Sequence, residues 1–349
     1  MLDILLRAMP EIDASDLHLS SGRAPKFRIN GEIVSNEKFS DVLENDQIMK
    51  MVTGILDPDK LKYFEKHHEA DFSYEIDGLA RFRVNCFQQH RGIGMVIRII
   101  PNEIKSLESL DFGDNVKTFK KLCTYPRGII LVTGPTGSGK TTTLAAMIDH
   151  INENRKDHIL TIEDPIEFIH EEKQCLISQR EVHKHTDSFS NALRASLRED
   201  PDIIFVGEMR DLETIKLALT AAETGHLVFG TLHTTSATKT IDRVIDVFPA
   251  EEKDMVRVML SESLQAVVSQ VLLKKTGGGR VAGHEIMMCN SAVRNLIREG
   301  KIAQMYSAIQ TGAQEGMTTL DQSLKKLVQA KKISIDTAKE FAKDPKAVA

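Results

Sequence analysis

The sequence predicts an α/β protein in two parts, and three observations predict it. The apolar run Ile129-Ile130-Leu131-Val132 leads through Gly134-Pro135-Thr136-Gly137-Ser138-Gly139-Lys140-Thr141 into the helix-forming Thr142-Thr143-Leu144-Ala145-Ala146-Met147, which reads as strand, glycine-rich loop and helix. Beyond that loop, short apolar runs alternate with helix-spaced segments, the mark of a mainly parallel sheet with crossover helices. Before residue 101, period-2 runs meet at Asn30-Gly31 and Asp77-Gly78, which is how antiparallel hairpins are written.

Taken in order, Ile4, Leu5, Met9 and Ile12 line one face of an opening helix, and Lys26 to Val34 forms a hairpin turning at Asn30-Gly31. A helix is expected from about Asp46 to His67. Strands follow at Asp71–Ile76, Leu79–Phe87 and Gly94–Ile100, giving a first domain over residues 1–100. That domain has no phosphate loop or metal cluster of its own. Its strand arginines Arg83 and Arg98 read from the residues alone as surface charge on a sheet. The competing reading is that they complete a nucleotide site, where guanidinium groups stabilise charge developing on phosphate.

Residues 101–112, with Pro101, Asn102, Lys105 and Ser106, read as a linker, and 113–290 as the nucleotide-binding core. The loop fits G-x-x-x-x-G-K-S/T. Backbone N–H groups from Gly134 to Gly139 wrap the phosphates, and the helix start at Lys140, Thr141 and Thr142 adds its partial positive charge. Lys140 would reach the outer phosphates of a bound nucleotide such as ATP, and the Thr141 hydroxyl would ligate Mg²⁺.

In a parallel sheet, ligands sit beyond the carboxyl ends of the strands, so the strand tips carry the chemistry. One tip is Thr161-Ile162-Glu163-Asp164-Pro165-Ile166-Glu167, a carboxylate cluster placed to hold magnesium through water or to polarise a nucleophile. The next is Ile203-Ile204-Phe205-Val206-Gly207-Glu208, an apolar strand ending in the acid expected to orient and deprotonate the attacking water. A further strand, Leu227 to Leu232, ends at His233, which can hydrogen-bond the γ-phosphate. His226 stands at the opposite end of that strand and reads as structural or interfacial. Arg194, Arg198 and Arg210, around the Glu208 strand, suit either a solvated face or the seam between subunits of a ring.

Helical spacing continues in Thr240–Val247, Glu251–Val271 and Ser291–Glu299, with Ser291 as cap and Gly300 as stop of the last of these. Leu320, Leu324, Leu327 and Val328 form a core stripe on the final clear helix, and the chain from about Lys343 is expected to fray. Residues 291–349 thus make a helical C-terminal segment.

Composition narrows the function. The 349 residues carry a net charge of -5, 27% charged and 5% aromatic residues, no tryptophan and no long basic run. Strand binding wants a cationic groove with stacking platforms, so nucleic acid is not the expected partner. Four widely spaced cysteines without C-x-x-C read as reduced thiols of a cytoplasmic protein, not as zinc ligands or disulfides. No apolar run reaches membrane-spanning length, so membrane association is expected through a partner.

The motifs around Gly134–Thr143, Thr161–Phe168, Asp200–Asp211 and Thr224–Thr234 resemble the Walker A, Asp-box, Walker B and His-box of secretion-superfamily ATPases. Within that superfamily the chain is most similar to type IV pilus retraction ATPases. Ala292-Val293-Arg294-Asn295-Leu296-Ile297-Arg298-Glu299 resembles their retraction signature, with Val293 where isoleucine is common, and the zinc-binding tetracysteine insertion of many extension enzymes is missing.

The resemblance implies a PAS-like N-terminal domain, a RecA-like ATPase domain and a homohexameric ring using ATP and Mg²⁺. It assigns Asp164 and Glu167 to the Asp-box and His226 and His233 to the His-box, and it makes Arg83 and Arg98 arginines that reach the nucleotide. It further implies a peripheral position on the cytoplasmic face of the inner membrane, docked on the pilus platform protein, with a paralogous retraction ATPase as a possible second partner. Pilus extension, type II secretion and a nucleotide-gated binding module are the competing readings.

Overall fold

The computed structural model describes residues 1–29, 31–100 and 103–348, which fall into two compact units, Met1–Glu103 and Ile104–Ala349. The turn residue Asn30 and the linker residues Pro101 and Asn102 lie outside the described residues.

In the first unit α1 (Leu2–Glu11) is followed by β1 (Ala14–Ser20), β2 (Lys26–Ile29) and β3 (Glu32–Ser35). Next come α2 (Asn45–Ile55), α3 (Pro58–His67), β4 (Glu69–Ile76), β5 (Ala80–Gln89) and β6 (Gly92–Ile100). Among the described residues the six strands form one antiparallel sheet in the order β3-β2-β1-β6-β5-β4. Gly31 takes φ +88° between β2 and β3, a conformation open to glycine.

Two expectations change here. Helix α1 buries Leu2, Leu5, Leu6, Ala8 and Met9 while Ile4 is 63% exposed, so its inward face is rotated from the Ile4–Ile12 stripe. The single helix from Asp46 to His67 is two helices. Leu56 leaves α2 in an extended conformation, Asp57 caps α3 by accepting from the Lys60 N–H, and Pro58 sits in its first turn, where a missing N–H costs nothing.

The second unit begins with α4 (Asn115–Cys123), β7 (Gly128–Thr133), α5 (Lys140–Asn154), β8 (His158–Glu163), β9 (Leu176–Glu181) and α6 (Phe189–Ser196). It continues with β10 (Ile203–Val206), α7 (Leu212–Glu223), β11 (Leu227–Leu232), α8 (Ala237–Asp246) and α9 (Lys253–Ser263). The chain then makes β12 (Leu264–Lys274), β13 (Arg280–Met288), α10 (Ser291–Arg298), α11 (Met305–Thr311), α12 (Leu320–Gln329) and α13 (Ile335–Phe341).

The sheet order is β13-β12-β7-β11-β10-β8-β9, parallel except for the β12–β13 hairpin. Every residue of β7, β10 and β11 is buried, as strands covered on both faces require. The fold is therefore mixed α/β with a mainly parallel second sheet and a helical C-terminal segment, the class that the sequence predicts.

Several local expectations give way. The helix read through Val271 stops at Ser263, and Leu264–Lys274 pairs as a strand with both β7 and β13, because tertiary pairing satisfies a β-branched run better than a helix does. The cap of α10 is Asn290, which accepts from the Val293 N–H, rather than Ser291. Of the stretch read as a linker, Leu107 and Phe112 are buried in the core of the second unit. Residues 343–348 do not fray: Asp321 accepts from the N–H groups of Lys343 and Asp344, and Val348 packs with Leu324 and Ile333.

Candidate functional site

Four parallel strands bring their carboxyl ends into line. Thr133 at the end of β7 pairs with Leu232 of β11, Val206 of β10 with Gly230 of β11, and Val206 with Ile162 of β8. The loops that follow these strands therefore leave the sheet side by side.

The loop after β7 is shaped by glycines. Gly134, Gly137 and Gly139 take φ of +146°, +79° and +88°, and a Cβ on Gly134 would lie 2.3 Å from the Gln270 carbonyl oxygen. Helix α5 starts at Lys140 with Gly139 as its cap, so the first-turn N–H groups open onto the loop. Pro135, Thr136 and Gly137 are exposed at its crest, and Thr141 and Thr142 are half-buried at its base. The Ser138 hydroxyl is buried with no partner among the described residues, a polar atom that the loop leaves for a ligand.

Lys140 folds over the loop and donates to the carbonyls of Gly134 at 2.8 Å and Pro135 at 3.2 Å. Burial lowers its pKa, and the charges of Glu208 and Glu167 act against that shift. Its ammonium is thus held inside the loop by carbonyls that a phosphate can replace.

Glu163, the last residue of β8, is buried and accepts from the Thr161 hydroxyl at 2.7 Å and from Gln179 Nε2 at 3.4 Å. Burial pushes its pKa up to about 7. The Glu167 N–H approaches its second oxygen at 3.5 Å, while Asp164 is exposed.

Glu208 lies two residues beyond β10. Its Oε1 is 2.5 Å from Arg210 Nε and 2.9 Å from His233 Nε2. Burial alone would raise its pKa, but the Arg210 hydrogen bond, with the charges of Arg210, His233 and Lys140, holds it below the usual carboxylate range. Glu208 is therefore an ionised carboxylate near the phosphate loop, as a base requires.

His233 is thereby brought into the site. His226, at the opposite end of β11, bonds the Ala221 carbonyl through Nδ1 at 2.9 Å and stays away from it. Arg194 pairs with Glu213, and Arg180 with Glu199 at 2.8 Å.

Arg83 and Arg98 belong to the first unit, where they are directly opposite each other on β5 and β6 and so share a sheet face. Two carboxylates relieve their repulsion. Arg83 is forked onto Asp71, with its closest contact at 2.6 Å, and Arg98 Nε donates to the buried Asp16 at 2.7 Å.

In α10, Val293 and Ile297 are fully buried and Leu296 packs partly against the same core, while Ala292, Asn295, Arg298 and Glu299 face outward. The two arginines of the segment behave differently. Arg294 donates to the Ser261 carbonyl at 2.5 Å, the Glu262 carbonyl at 2.8 Å and Gln265 Oε1 at 3.3 Å, closing the end of α9. Among the described residues Arg298 makes one exposed pair, to Glu262 at 2.6 Å.

Sequence reasoning missed Gln270. From β12 it donates to the Ser138 carbonyl at 2.6 Å and accepts from the Thr143 hydroxyl at 2.9 Å. The signal was the β-branched Val267-Val268 and Val271, which favour a strand over the helical spacing read there.

The donor set bears on magnesium. Among the described residues no group of three or more His, Cys, Asp or Glu side chains can hold a metal ion. Mg²⁺ suits a site with one or two protein ligands and substrate phosphates, and the half-buried Thr141 hydroxyl at the start of α5 fits that role. No helix among the described residues is long and apolar enough to cross a membrane.

Residues 13–339 match the family described as Type II/IV secretion system protein. The chain is 62% identical over 332 residues to a protein of Pseudomonas aeruginosa named Type IV pilus retractation ATPase PilT, covering 95% of each chain. It is 54% identical over 341 residues to a Neisseria gonorrhoeae protein named Twitching motility protein, covering 97% of this chain and 90% of that one. The crystal structure of the pilus retraction motor PilT with bound ADP superposes with a TM-score of 0.89 at 46% identity, covering 99% of this chain and 98% of the other.

Proposed function

The chain belongs to the type II/IV secretion system protein family, and from that premise we propose that it is a motor ATPase driving type IV pilus retraction and twitching motility. One observation carries the catalytic half of this reading: Glu208, ionised and bonded to His233, stands at strand tips that open beside the glycine loop holding Lys140. The retraction half rests on the 62% identity to a retraction ATPase across nearly the whole chain.

In the reaction, loop N–H groups and Lys140 bind the phosphates, and Lys140 exchanges its loop carbonyls for phosphate oxygens. Thr141 would hold Mg²⁺ together with phosphate oxygens, and the ion would neutralise charge on the phosphates. Glu208 orients the attacking water and takes its proton, while His233 contacts the γ-phosphate. Glu163, the buried acid at the tip of β8, is the second carboxylate of the proposed catalytic set.

Arg83 and Arg98 complete the charge around the γ-phosphate. Contact with a phosphate would compete with their pairs to Asp71 and Asp16. The working assembly is a homohexameric ring docked on the cytoplasmic face of the inner-membrane pilus platform, with a paralogous retraction ATPase as a further partner. The domain reading is a PAS-like domain over 1–100, a RecA-like core over 113–290 and a helical segment from 291.

Retraction and extension part company in cells. In a strain lacking its own retraction ATPase, this protein should restore twitching, and Lys140→Ala should leave cells heavily piliated and non-motile. Restoration of piliation to an extension-deficient strain instead would contradict the proposal. A nucleotide switch without hydrolysis would need no ionised base, and Glu208 is one.

A further inference from the structure

Gln270 is only 3% exposed, and among the described residues its side-chain hydrogen bonds go to the phosphate-binding element. Its Nε2 donates to the Ser138 carbonyl and its Oε1 accepts from the Thr143 hydroxyl, while its own carbonyl fills the space beside Gly134. One residue of a neighbouring strand thus holds the loop at the Ser138–Gly139 peptide and one turn into α5, with its carbonyl close beside Gly134.

The grip on Ser138 matters because the peptide unit is planar and trans. Its C=O and the following N–H point in opposite directions, so fixing the Ser138 carbonyl fixes the direction of the Gly139 N–H. Gly139 has φ +88°, a region where a glycine backbone turns easily, and nothing in its own side chain restrains the peptide. The Gln270 amide supplies that restraint from outside the loop. Leaving such a buried amide unpaired is costly, which couples its two bonds to the loop geometry.

We propose that Gln270 is a positioning residue for nucleotide binding: it locks the Ser138–Gly139 peptide so that the Gly139 N–H faces the phosphates, and it uses Thr143 to hold its own amide in register. This rests on the reading of residues 134–141 as a nucleotide loop.

The test measures the dissociation constant of a fluorescent ADP, with Mg²⁺, for the full-length protein and for Gln270→Leu, Thr143→Val and the double variant, together with the melting temperature of each without nucleotide. Gln270→Leu should weaken ADP binding by about tenfold or more and Thr143→Val by about two- to fivefold, with the double variant no weaker than Gln270→Leu. A merely structural role would lower the melting temperature and leave the affinity of the folded protein unchanged. Should Gln270→Leu fail to fold, Gln270→Glu and Thr143→Val carry the test, since Glu keeps the acceptor and loses the donor. Variants binding ADP within twofold of the parent overturn this inference alone. A parent that does not bind ADP overturns both it and the nucleotide-loop reading beneath it.

Discussion

Glu208 Oε1 lies 2.9 Å from His233 Nε2, across the tips of two adjacent parallel strands. The residues proposed as base and γ-phosphate contact are therefore joined directly, and Arg210 holds the same carboxylate oxygen at 2.5 Å. His233→Ala should lower ATP turnover by about 10- to 100-fold, because it removes both the phosphate contact and the orientation of Glu208. Steady-state kinetics with nucleotide affinity measured in parallel checks this: turnover within threefold of the parent would detach His233 from the chemistry.

The arginines of α10 should separate by role. Arg294 closes the carbonyl end of α9, so Arg294→Ala should cost about 1–3 kcal/mol and lower the melting temperature. Arg298 has one exposed ion pair, and Arg298→Ala should change stability by less than about 0.5 kcal/mol. Arg298→Ala should still impair retraction in cells if the exposed face of α10 serves the pilus machine. Equal destabilisation by the two variants, seen by thermal melting, would contradict this division.

Arg83 and Arg98 face each other on one sheet face, each tied to an aspartate. Either arginine changed to Gln should lower turnover by about 10³-fold while ADP still binds, as expected of guanidinium groups acting on transition-state charge. Mixing Arg98→Gln with Lys140→Ala subunits should restore part of the activity if the arginine serves a neighbour's nucleotide. Wild-type turnover in both Arg83→Gln and Arg98→Gln would return the two arginines to the status of surface charge.

Acid should weaken the second unit through His284. Burial drives its pKa down to about 3, with Phe112 and Phe119 edge-on against its ring. The depressed value means the unfolded chain takes up a proton below about 6.5 that the folded chain refuses, so stability is full above that pH and falls as pH drops toward 3. The slope is about 1.4 kcal/mol per pH unit. Between pH 7 and pH 5, His284→Met should lose about 2 kcal/mol less stability than the parent in denaturant titrations. An identical loss in both would show that His284 is not the group responsible.

Much of the site was legible because phosphate chemistry constrains local sequence. A loop that wraps phosphate with backbone must carry glycines where Gly134, Gly137 and Gly139 take positive φ, and acids at strand tips stand out against the apolar runs before them. What the residues did not disclose depends on contacts between distant segments. Leu264–Lys274 reads as the end of a helix until β7 and β13 pair with it, and only then does Gln270 reach the loop. Arg294 looks like a surface residue until the end of α9 lies beneath it. The tail reads as frayed because its anchor, Asp321, lies on another helix. The break before Pro58 was written in the sequence and was overridden by the helical spacing on either side.

Glu208 is proposed to activate the water that hydrolyses ATP. The most direct test is steady-state Mg²⁺-ATP turnover of the purified protein and of Glu208→Gln, with nucleotide affinity measured on both. Turnover should fall by at least about 100-fold in Glu208→Gln while binding stays within threefold. Equal turnover in the two proteins, with binding intact, would contradict it.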